Sequence, residues 1–111
     1  MNNKLFSNAQ EKRVAKQIGG RKTANSGATR FSKGDVVNKE WIIEAKTKTK
    51  PQRGISISKS WLDKIKEESY AMNKAKYALY FDFGDEEGYY IIDEKIAKKC
   101  GLFEVNEEVK Q

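Results

Sequence analysis

Gly34-Asp35-Val36-Val37-Asn38-Lys39-Glu40-Trp41-Ile42-Ile43-Glu44-Ala45-Lys46 decides how this chain is read. Two short apolar runs flank a polar turn, the pattern of a β-hairpin. Side chains on a strand alternate faces. Ile42, Glu44 and Lys46 therefore share one face, and Trp41, Ile43 and Ala45 point the other way, into a core. A Glu-x-Lys pair on an open strand is commonly just a solvated ion pair. With Asp35 on the neighbouring strand, however, the group can hold a divalent cation and activate water, so the surrounding sequence must decide between the two.

Upstream, Ser7-Asn8-Ala9-Gln10 has the form of a capping box, with Ser7 as N-cap and Gln10 reaching back. Leu5 or Phe6 would staple onto the first turn, leaving residues 1–6 as a loose start. Val14, Ala15 and Ile18 form a narrow helical stripe, and Gly19-Gly20 stops it. Residues 21–33 are basic, hydroxyl-rich and without periodicity, a long loop of the kind that usually carries function in a small domain. Downstream, the lysines of Lys46-Thr47-Lys48-Thr49-Lys50 alternate onto one face, and Pro51-Gln52-Arg53-Gly54 breaks the strand.

Ser58 or Ser60 caps a second helix, whose stripe is Trp61, Leu62, Ile65, Ser69 and Met72 and which ends at Asn73-Lys74. Tyr77-Ala78-Leu79-Tyr80-Phe81 reads as a buried central strand. Residues 84–88 form a hairpin loop, and Tyr89-Tyr90-Ile91-Ile92 returns, with one tyrosine expected in the core and one in solvent. Asp93 caps a short helix to about Lys99, terminated by Gly101. Leu102, Phe103 and Val105 are expected to pack back, and residues 106–111 to fray. The outcome is one α/β domain over residues 1–111, with a central mixed sheet of about four to five strands flanked by helices.

Composition narrows the chemistry. The 111 residues suffice for one modest core, and no apolar run reaches membrane-spanning length. Cys100 is alone, which excludes a disulfide framework and fits a reducing, cytoplasmic setting. It is expected to be a small buried hydrophobe. The chain has no histidine, so hydrolysis would rest on carboxylates, lysines, hydroxyls and hard metal ions. Residues 1–66 hold 16 Lys and Arg against 5 Asp and Glu, whereas residues 67–111 hold 6 against 11. The basic excess thus surrounds Asp35, Glu44 and Lys46, as a polyanionic substrate approaching a metal would require.

Asp35 and Glu44 are the expected direct ligands of Mg2+, with Mn2+ as a substitute, and the Ala45 backbone carbonyl completes the protein share. Lys46 would stabilise developing negative charge or orient the nucleophile. Glu11 would complete the shell directly or through water, or else serve only the helix dipole. Lys12, Arg13, Lys16, Arg21, Lys22, Ser26, Thr29, Arg30, Lys33, Lys48, Lys50 and Arg53 are the expected phosphate contacts. Trp41 and Trp61 are assigned to the core rather than to base stacking.

Glu11 on an opening helix, the loop Asn25-Ser26-Gly27-Ala28, Gly34-Asp35 and Glu44-Ala45-Lys46 together resemble the PD-(D/E)XK nuclease superfamily. The similarity is closest to the small archaeal-type Holliday junction resolvases. The segment Ile57-Ser58-Lys59-Ser60-Trp61-Leu62 running into Tyr77-Ala78-Leu79-Tyr80-Phe81 is similar to the helix and strand that follow the motif there. Gly34 stands where the family has proline. The resemblance covers roughly residues 7–92 and implies a restriction-endonuclease-like core, with Glu11, Asp35, Glu44 and Lys46 as catalytic residues. It also implies an Mg2+- or Mn2+-dependent DNA endonuclease acting as a homodimer on four-way junctions, and is compatible with a phage origin. Phe103, Val105 and the Tyr89/Tyr90 strand are candidates for the dimer contact. Two other readings remain open: a sequence-specific or nicking restriction-like endonuclease, and a non-catalytic nucleic-acid-binding module.

Overall fold

The computed structural model describes residues 3–23, 36–46 and 51–103, with side chains from residue 9 onward. Its elements run α1 (Asn3–Ile18), β1 (Arg21–Lys22), β2 (Val36–Val37), β3 (Trp41–Lys46), α2 (Lys59–Ala71), β4 (Lys76–Asp82), β5 (Gly88–Ile91) and α3 (Glu94–Lys99). The strands form one sheet in the order β1-β2-β3-β4-β5. Every neighbouring pair is antiparallel except β3 and β4, which run parallel across the α2 connection. This is the mixed α/β sheet with flanking helices that the sequence predicts. No helix among the described residues is long and apolar enough to cross a membrane.

The hairpin turn is built by Asn38. Its side-chain oxygen accepts from the Glu40 and Trp41 amides at 2.9 and 2.7 Å, an Asx turn. Its amide nitrogen donates to the Ile18 carbonyl at 2.9 Å and so ties the turn to the end of α1. At that end Gly19 takes φ +62°, and the chain re-enters the sheet through Gly20, where a Cβ would lie 2.3 Å from the Val37 carbonyl oxygen. Only glycine permits that approach.

Strand alternation sorts the core into two layers. Val37, Ile42, Ile65, Tyr77, Leu79 and Ile96 pack with Trp61 and Leu62 on the α2 side. Val14, Val36, Ile43, Ala78 and Tyr80 pack with Ala15 and Ile18 on the α1 side. Helix α2 starts at Ser58, whose hydroxyl accepts from the Ser60 amide, and ends at Met72, ahead of Asn73 at φ +58°. Trp41 and Trp61 are both partly buried against the core, as expected.

Several expectations are corrected. Helix α1 begins at Asn3 rather than after Ser7, and Gln10 does not close a capping box: it is buried, and its amide reaches across to the sheet. Arg21 and Lys22 are a strand rather than loop, since pairing with Val37 and Val36 supplies an order that no local pattern announces. Tyr89 and Tyr90 are both exposed, because β5 is an edge strand and neither helix covers it fully. Cys100 is exposed as the C-cap of α3, and Leu102 and Phe103 are also exposed rather than packed back. The expected roles of Ser7, Leu5, Phe6 and Val105 fall outside the described side chains.

Asp93 is the N-cap of α3, accepting from Ile96 N at 2.8 Å and from the Tyr77 hydroxyl at 2.5 Å. Burial alone would raise its pKa, but the Tyr77 hydroxyl and the helix amides outweigh burial and hold it below the ordinary value. Burial, reinforced by Asp93, pushes the Tyr77 phenol up. A depressed carboxyl stabilises the fold above its unfolded pKa and loses that contribution as pH falls through the lower folded value. Asp93→Ala is therefore expected to cost about 1 kcal/mol at neutral pH, and the gap to wild type should close in acid. Urea unfolding at both pH values checks this; a gap that widens in acid contradicts it.

Candidate functional site

Glu44 and Lys46 emerge on the α2 face near the C-terminal end of β3, one alternation beyond Ile42. Glu44 is 5% exposed, a carboxylate held in the interior. One of its oxygens, Oε2, lies 2.5 Å from Lys46 Nζ. The other, Oε1, is buried and has no hydrogen-bond partner among the described residues. Buried carboxylate oxygens are costly unless satisfied, so Glu44 Oε1 is placed to take a donor group or a cation. Lys46 is positioned from its far side by Trp61, with the ammonium 4.3 Å from the ring centroid. Such a cation–π contact fixes a long, flexible side chain. The sequence assigned Trp61 to packing alone, and nothing in its pattern reveals this second role.

The backbone beneath the pair is clamped from the opposite face. Gln10 Nε2 donates to the Lys46 carbonyl at 2.8 Å and to Asp82 Oδ2 at 3.3 Å. Asp82, buried at the end of β4, also accepts from Arg13 at 2.8 Å and, through Oδ1, from the Gly84 amide at 2.9 Å. Burial disfavours the Arg13 charge, but Tyr80 and Asp82 more than compensate and leave its pKa raised. Sequence reading missed both Gln10 and Asp82. Asp82 has one signal, a polar residue closing the apolar run that ends at Phe81, whereas Gln10 stands among polar residues one turn before Val14 and has none.

Glu11 sits on α1, across the sheet from the Glu44 and Lys46 side chains, and its carboxylate lies 3.4 Å from Lys22 Nζ. The structure therefore brings Glu44 and Lys46 together and pairs Glu11 with a cation of β1. Among the described residues, no three acidic or cysteine side chains gather to hold a metal. Asp35 precedes Val36, which pairs with Ile43 beside Glu44, but Asp35 itself lies outside the described residues. So do Ser26, Thr29, Arg30, Lys33, Lys48 and Lys50. Of the remaining expected phosphate contacts, Lys12, Lys16, Arg21, Lys22 and Arg53 are exposed, while Arg13 is half-buried in its ion pair with Asp82.

No family model matches this chain, and no match to it is found among curated proteins or solved structures.

Proposed function

We propose that the protein is a metal-dependent DNA endonuclease of the PD-(D/E)XK type, acting as a homodimer in the cytoplasm on branched DNA such as four-way junctions. The observation that carries this reading is Glu44 Oε1, a buried carboxylate oxygen without a partner among the described residues, beside an ammonium fixed by an aromatic ring. The donor set is all oxygen and suits a hard divalent cation: Glu44, the Ala45 carbonyl and, from the sequence, Asp35 would hold Mg2+. When bound, such an ion polarises the phosphoryl oxygen and lowers the pKa of water.

The chain's own residues account for the rest. Glu44 divides its two oxygens, keeping Lys46 in place with one and leaving the other for the site. Lys46, held between Glu44 and Trp61, offers N–H donors and positive charge where the pentavalent phosphate accumulates negative charge. Gln10 and Asp82 fix the backbone at the end of β3, which keeps the Lys46 Cα from shifting as DNA binds. The exposed cations of α1 and β1 would contact the phosphate backbone without reading sequence.

The test uses a synthetic four-way junction and a linear duplex with the same arms, each with Mg2+ or with EDTA. Junction cleavage that needs Mg2+ and disappears in Glu44→Ala and Asp35→Ala is the expected result. Full activity in both variants would sink the site assignment. Equal cleavage of the duplex at one sequence would favour a restriction-like enzyme, and salt-sensitive binding without products would favour a non-catalytic DNA-binding module.

A further inference from the structure

The surface next to Lys46 is aromatic. Parallel pairing sets Lys46 against Phe81, and antiparallel pairing sets Phe81 against Tyr89. Lys46, Phe81 and Tyr89 therefore form a row across three strands on one face of the sheet. Phe81 and Tyr89 are stacked, with centroids 5.5 Å apart and ring planes 25° apart. Phe83 closes the group edge-on, 5.3 Å from Phe81 and 5.7 Å from Tyr89. Tyr89 nonetheless remains 43% exposed. Helix α2 packs on β3 and β4 and leaves this corner open.

Charge indicates what covers these rings. Lys46 borders them on one side. On another, the Gln52 backbone N–H donates to the Phe83 carbonyl at 2.8 Å, which draws the segment carrying exposed Arg53 to the same corner. Among the described residues, Glu44 is taken up by Lys46 on the β3 side, and Glu87 lies toward the hairpin tip, where it accepts the Tyr89 hydroxyl at 3.2 Å. A ligand seated here thus meets flat apolar rings flanked by cations, with negative charge repelling its backbone from the tip. A polynucleotide strand has that complement: phosphates for Lys46 and Arg53, and a base for the rings.

The geometry points to a stacking platform in which Phe81, Phe83 and Tyr89 hold an unpaired nucleobase of a DNA strand whose phosphate lies at Lys46. The inference deepens the nuclease reading and rests on it for the phosphate position. Lys46 and Tyr89 stand two strand spacings apart, about 10 Å. A base can reach the platform only where it has left its duplex stack, so the substrate must carry unpaired or easily unstacked nucleotides next to the cut. Uninterrupted duplex offers none.

The test is fluorescence anisotropy of a short labelled oligothymidylate and of a perfect duplex of equal length, binding to wild type, Tyr89→Ala, Tyr89→Phe and Glu44→Gln without divalent metal. Tyr89→Ala should weaken single-strand binding by about 5- to 150-fold, the range for losing one stacked base, with duplex binding unchanged. Tyr89→Phe, which keeps the ring, should bind like wild type. Equal losses on single strand and duplex would overturn the platform, as would no loss at all or no binding of the oligonucleotide by wild type. A change in oligomeric mass with unchanged oligonucleotide affinity would also overturn it, assigning the rings to a second copy of the chain. A parallel Mg2+ cleavage assay of wild type and Glu44→Gln separates the two readings: stacking with no cleavage by either form removes the nuclease and leaves the platform, whereas Glu44-dependent cleavage with no Tyr89 effect on binding does the reverse.

Discussion

Glu44→Gln is expected to fold and to lose metal-dependent cleavage by at least about 100-fold, since removing even an outer partner of a metal ligand costs 10–100-fold. Glutamine keeps the size of the side chain and can still accept a hydrogen bond from Lys46, so β3 and its neighbours should persist. What disappears is the negative charge at Glu44 Oε1, a buried oxygen lacking a partner among the described residues. Lys46 then loses its counter-ion but keeps the Trp61 ring and some access to solvent, so the stability cost should be small. Cleavage rates and urea midpoints measured on one preparation check both halves. A variant that is unfolded, or that cleaves at the wild-type rate, contradicts the assignment.

Asp82→Ala is expected to have the largest effect on stability. The buried carboxylate receives Gln10, Arg13 and the Gly84 amide, so it joins α1 to β4 and to the following turn. Deleting it leaves a half-buried guanidinium without its paired carboxylate and removes the second acceptor of the Gln10 amide, which keeps the Lys46 carbonyl. Breaking a buried ion pair by removing one partner costs about 3–5 kcal/mol, against a total of about 5–15 kcal/mol for a small domain. Asp82→Asn retains an acceptor and should cost less. In the double variant Asp82→Ala/Arg13→Ala the losses should fall short of additive, because the stranded charge is gone. Urea denaturation of wild type, Asp82→Ala, Arg13→Ala, the double variant and Asp82→Asn measures this, and additive losses would mean that the pair does not act as a unit.

Much of the architecture was legible because local and tertiary signals agree. Ser58, Asp93 and Asn38 each do in the structure what their side chains favour locally, and the run from Tyr77 to Tyr80 is buried as its composition demands. Readings failed where tertiary structure decides. Gln10 matched a capping box, but a buried position over the sheet gave its amide better partners. Arg21 and Lys22 carry no strand signal and owe their order to β2. Tyr89 and Tyr90 alternate as expected, yet alternation places a core on both faces only where both faces are covered, and β5 is at the edge. Within the site, the Glu44–Lys46 adjacency followed from the period of a strand. The lone oxygen of Glu44, the Trp61 contact and the separation of Glu11 depend on distances between distant segments, which spacing in sequence does not encode.

The central claim is that Glu44 Oε1 is a cation ligand. Titrating Mn2+ into wild type and Glu44→Gln, with free Mn2+ followed by electron paramagnetic resonance, tests it most directly. The account predicts a saturable site in wild type that Mg2+ displaces and that Glu44→Gln lacks. Identical Mn2+ binding by the two proteins would contradict it.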